Sequence, residues 1–194
     1  MTHPSIRRAL SILTACSLLA APAVLLTGCG SNSDSAASQR ATTSNAQSLN
    51  PYIDAINRYN RGQVTCDVTI TPSLDSLRKG ERKEYIFLPD FEKLKDTLEK
   101  ARSDPKVAGV YPDIDAAADD LLAILKDLAP LAAKMEAYYS ANTYLTDNYA
   151  QSDEMVAQFF PLYDKFGAAY DKFGAIVTDH FEEIRLAEID TMRK

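Results

Sequence analysis

The side chains that most often hold metals or attack carbonyl carbon are sparse in this 194-residue chain. Its histidines are His3 and His180, and its cysteines are Cys16, Cys29 and Cys66. His3 and Cys16 fall in an N-terminal leader, so a zinc site built on several His or Cys ligands is not expected. Val177 stands three residues before His180, where a di-iron bundle would carry Glu. Nothing in the spacing fixes Cys66 near His180. Serine is concentrated before residue 50, and the chain has no Gly-x-Ser-x-Gly elbow, phosphate loop or dinucleotide fingerprint. No catalytic residue and no cofactor is assigned. Two oxygen-rich runs are open to a cation such as calcium: Asp147, Asn148 and Asp153, and Asp113, Asp115, Asp119 and Asp120. Neither has the EF-hand loop, and the same carboxylates suit solvated turns and helix starts. The compositional oddity is aromatic, with ten Tyr, seven Phe and no Trp. Tyr138, Tyr139, Tyr144 and Tyr149 gather around one turn. Tyr joins apolar area to a polar end, so the four are candidate contacts for a protein or sugar-polymer partner. Ordinary packing at a bundle end is the competing reading.

Cys29 carries the most specific chemistry. Arg7 and Arg8 precede an apolar run from Ala9 to Leu26, the order of an export signal. As a membrane span the run is barely long enough, and it contains Pro22. Leu26-Thr27-Gly28-Cys29 matches the bacterial lipobox. That match implies a diacylglycerol on the Cys29 sulfur and cleavage after Gly28. Each buried methylene then adds roughly 0.8 kcal/mol, so two or three acyl chains anchor a protein stably. Membrane lipid, reached through acylated Cys29, is thus an expected partner. The expected location is the bacterial cell membrane or outer membrane, with the domain facing periplasm or exterior. Residues 30–48 are mostly Ser, Asn, Ala, Thr and Gln, with little apolar area to offset ordering entropy. The chain divides into a signal peptide at 1–28, a lipidated flexible tether at 29–49 and a helical domain at 50–194. Cys66 is left as a lone thiol, expected to be buried or inert. The formal net charge is −6, and losing Arg7 and Arg8 makes the remainder more acidic. No basic stripe faces phosphates, so nucleic acid is not an expected partner.

The elements that must position these residues read as helices. Asn50-Pro51 resembles an N-cap with proline at the first helical position, and Gly62 is expected to end that helix. Residues 64–70 are β-branched and alternate, which suggests an extended connection. A short helix from Pro72 stops at Gly80, and another runs from Asp90 to about Ala101. Pro112 opens a strong helical stripe through Leu121, Leu125, Leu128 and Met135, with Pro130 inside it. The last helix is expected from about Asp153, along Val156, Phe159, Tyr163, Phe166, Tyr170, Phe173, Val177 and Ile184. Within it Tyr-Asp-Lys-Phe-Gly-Ala occurs at 163 and again at 170. A shift of seven returns to nearly the same face, so the repeat builds a packing seam. Gly167 and Gly174 lower helix propensity by roughly 1 kcal/mol each, which suggests a closely approaching neighbour. The predicted fold is all-α: a bundle of two long antiparallel helices with shorter packing helices.

Three stretches together resemble the YiiG-like bacterial lipoproteins, a family with a domain of unknown function. They are Tyr52-Ile53-Asp54-Ala55-Ile56-Asn57-Arg58-Tyr59-Asn60; Ile114-Asp115-Ala116-Ala117 leading to Glu136-Ala137-Tyr138-Tyr139; and Tyr144, Asp147 and Asn148 before a helix from Phe159-Phe160 to Leu186-Ala187-Glu188. The resemblance implies a helical periplasmic domain with no assigned activity, here in a chain expected to be either a C-terminally shortened member or a truncated reading frame. The expected function is that of a membrane-anchored, non-enzymatic binding module contacting an envelope protein or polymer. The alternative is an acidic-residue hydrolase, or a protein that binds a small ligand or cation.

Overall fold

The computed structural model describes the backbone of residues 33–193 and the side chains of 46–62, 70 and 72–193. The leader, Cys29 and the Cys66 side chain lie outside the described residues. Among the described residues five helices follow in order: α1 (Ser33–Arg78), α2 (Phe91–Ser103), α3 (Pro112–Ser140), α4 (Tyr144–Asp147) and α5 (Ala150–Met192).

The expected antiparallel pair is α3 and α5. His180 near the end of α5 meets Asp113 at the start of α3, while Tyr139 at the far end of α3 meets Ser152. Leu121, Leu125, Leu128 and Met135 of α3 are fully buried, as are Phe159 and Phe173 of α5. The helical spacing of the apolar residues therefore marks the packed faces. α2 starts where the sequence places it, because Asp90 caps it by accepting from the Lys93 amide at 3.0 Å.

α1 departs from expectation. One helix of 46 residues stands where a helix, an extended connection and a second short helix are predicted. The β-branched run at 64–70 and Gly62 are local preferences of a few tenths to 1 kcal/mol each. Packing outweighs them: Tyr52, Ile53, Ile56, Ile70, Leu74 and Leu77 are buried along this one helix. Pro51 and Pro72 are inside it. α1 also begins before Asn50, within the segment read as tether, and both Ser48 and Leu49 are buried. The Ser48 hydroxyl donates to the Lys106 carbonyl at 2.7 Å. The helix does end near Gly80, whose φ of +77° suits the left-handed conformation that stops a helix.

The tandem repeat of α5 builds a seam, as its spacing predicts. Phe166, Tyr170 and Phe173 are buried, and Tyr59 of α1 lies 5.0 Å from Tyr170 and 5.6 Å from Phe166 between ring centres. Phe91 of α2 closes the array at 5.1 Å from Phe166. The repeat glycines do not admit a neighbour, contrary to expectation: a Cβ on Gly167 or Gly174 would meet nothing within 4 Å.

Candidate functional site

Two polar constellations and one aromatic cluster hold the residues singled out above. The first lies where α1, α2 and α3 meet. Asp115, only 7% exposed, accepts from the Tyr52 hydroxyl at 2.5 Å and from the Gly109 amide at 2.6 Å. Arg102 Nη1 is 2.9 Å from Asp115 Oδ1, but off the hydrogen-bonding direction, so that contact is coulombic. Arg102 Nε and Nη2 instead grip Asp119 at 2.7 and 2.9 Å. Burial, then the bond to Asp115, pushes the Tyr52 hydroxyl far above the ordinary phenol value. The guanidinium bond to Asp119 raises Arg102 and holds the Asp119 carboxyl below its usual range. The junction thus ties α1, α2 and the start of α3 together through one carboxylate.

The second constellation closes the turn between α3 and α5. Asp147 accepts from Tyr138 at 2.7 Å, from the Tyr149 amide at 3.0 Å and from the Gln151 amide and side chain at 3.2 and 3.1 Å. Burial raises the Asp147 carboxyl, but these bonds outweigh it and leave it below the usual value. Asn142, Asn148 and Tyr149 all take left-handed backbone here, with φ of +56°, +51° and +67°. Asn tolerates that region; Tyr does so only under constraint.

The four tyrosines are brought together around this turn. Tyr138 meets Tyr139 edge-on at 5.3 Å, and Tyr144 stacks on Tyr149 at 5.1 Å. Tyr138, Tyr139 and Tyr144 are nonetheless buried, and Tyr149 is half-buried beneath the Arg82 guanidinium. The hydroxyls of Tyr138, Tyr139 and Tyr144 bond to Asp147, Ser152 and Asn142 within the chain. What this end of the bundle exposes is different. Leu145 of α4 is 76% exposed, and Tyr85 and Phe87 of the 79–90 connection are 68% and 44% exposed. Arg82 fastens that connection to Asp153 at 2.9 Å, and alternation does the rest: Ile86 and Leu88 point inward, Tyr85 and Phe87 outward. Sequence reasoning passed over Tyr85 and Phe87, although their spacing of two beside Ile86 and Leu88 marks a half-buried extended segment.

The oxygen-rich runs are drawn into ion pairs and hydrogen bonds. Asp113 pairs with His180 at 2.8 Å, Asp120 with Lys172 at 3.0 Å, and Asp153 with Arg82. Asn148 supplies the left-handed turn residue. Among the described residues no group of three or more His, Cys, Asp or Glu is placed to hold a metal ion. His180 also lies against the Tyr111 ring at 4.8 Å. No helix among the described residues is long and apolar enough to cross a membrane.

Comparison with curated proteins and with solved structures gave no match. A family match begins at residue 44, ahead of the buried Ser48 and Leu49, and takes in α1 from that residue on and all of α2 to α5, the helices that build the junction, the turn and the aromatic seam. Over residues 44–194 the chain belongs to the family described as protein of unknown function (DUF3829).

Proposed function

We propose that this chain is an exported lipoprotein of the YiiG-like kind, held to a membrane by acyl chains on Cys29, whose helical domain binds an envelope protein or polymer. The lipobox behind a signal-like leader supports the anchor. The binding reading rests on one observation: the polar residues that could do chemistry are bonded to one another, while aromatic side chains are presented at one bundle end. Tyr85 and Phe87 meet edge-on at 5.7 Å and stand in water. Exposed aromatic pairs rimmed by charge suit protein or sugar surfaces. The buried tyrosines support this end from within.

Intact-mass analysis of the purified chain tests the anchor. The expected product begins at Cys29 and carries the added mass of acyl chains, and Cys29→Ser abolishes labelled palmitate uptake. A chain that retains its leader, or a bare sulfur at 29, overturns it. Cross-linking in intact envelopes tests the binding role. Partners captured by the parent chain should be lost in a Tyr85→Ser, Phe87→Ser variant that folds normally by circular dichroism. An unchanged set of partners would remove this surface from consideration.

A further inference from the structure

Between α1 and α2 the bundle leaves an open groove of about 310 Å³, walled by Ala55, Tyr59, Ile70, Leu88, Pro89 and Leu94. That volume lies at the lower end of the range for small-ligand sites. Its rim carries two cations from two helices, Arg58 of α1 and Lys93 of α2. Among the described residues neither is engaged in an ion pair. By contrast Arg78, Arg82, Arg102 and Arg185 are each closed on a carboxylate. The groove's own carboxylate, Asp90, accepts from the Lys93 backbone amide as the cap of α2. Apolar walls beneath two cations, neither paired with a described carboxylate, match one kind of guest.

We infer that this groove binds a small amphiphilic anion, with an alkyl or flat apolar body against Tyr59, Ile70, Leu88 and Leu94 and a carboxylate or phosphate head between Arg58 and Lys93. The inference does not depend on Cys29 or on the aromatic end. A guanidinium and an ammonium together offer charge-assisted bonds to either head group. The apolar body gains from leaving water, and alone it would bind without regard to charge.

Calorimetry on the full chain in nanodiscs of zwitterionic lipid, with empty discs subtracted, tests this with octanoate, octyl phosphate and octanol as probes. At least one anion should bind more tightly than octanol, and Arg58→Gln with Lys93→Gln should weaken it about tenfold or more. Thr97→Phe, which fills the groove while keeping both cations, should also abolish binding. Preference for octanoate or octyl phosphate assigns the head group. The inference fails if neither anion saturates below ~10 mM, if octanol binds equally well, if the double variant matches the parent, or if Thr97→Phe has no effect. All three substitutions fall at residues that are not fully buried, and circular dichroism is to check that each variant folds before its binding is read.

Discussion

Asp115 joins three separate parts of the chain: Tyr52 of α1, Arg102 of α2 and the Gly109 amide ahead of α3. Asp115→Ala strips two bonds and leaves a largely enclosed guanidinium with less counter-charge. A loss of about 3 kcal/mol in urea unfolding is expected. Tyr52→Phe, which removes a single donor, should lose about 1 kcal/mol. The acid limb of stability follows from the carboxyls held low. The bond to His180 lowers Asp113, and the bond to Arg102 lowers Asp119. A group lowered on folding stabilises above its unfolded value of about 4 and loses that contribution as pH falls through its folded value. Stability should therefore drop below about pH 4, and Asp119→Asn should flatten that drop in unfolding measured from pH 6 to pH 2. Asp115 was legible in the sequence as an acid at a helix start. Its role was not, because its partners come from positions far away in the chain. The tyrosine cluster was legible as a cluster, since its members share one turn. Its burial was not, because loop backbone with three left-handed residues decides where each ring points.

At the level of elements, the helices with strong period or clear caps were readable: α2 from Asp90, α3 from Pro112 and most of α5. α1 was not. Gly62 and the β-branched run imitate a break, and only the buried faces of Ile70, Leu74 and Leu77 show why the helix continues. Tertiary contacts outweigh propensities of this size. Gly167 and Gly174 invert the same lesson. They sit in helical backbone with open space where a Cβ would lie. Gly167→Ala and Gly174→Ala should each raise stability by about 1 kcal/mol, additively, with unchanged partner binding. Thermal unfolding of the single and double variants checks this. A loss of stability instead would mean that another chain packs against this face.

For the molecule as a whole, the fold class followed from composition and period, whereas the N-terminal edge of the domain did not. The polar sequence at residues 29–49 reads as tether, yet at its end Leu49 is 1% exposed and Ser48 reaches the Lys106 carbonyl. A chain shortened to begin at residue 50 should be about 2–4 kcal/mol less stable than one beginning at 44, from lost leucine burial and the lost hydroxyl bond. Denaturant midpoints compared between the two will show it. A difference below about 0.5 kcal/mol would return these residues to the tether. The course of α1 has a mechanical side as well. If Cys29 is fixed to lipid and Tyr85 and Phe87 hold a partner, the two points of attachment flank one helix. Tension between them runs along the axis of α1, with its backbone bonds loaded in series. Sideways grips on α5, from Tyr52 against Phe173 to Arg78 against Asp164, are what would keep that rod from uncoiling under load.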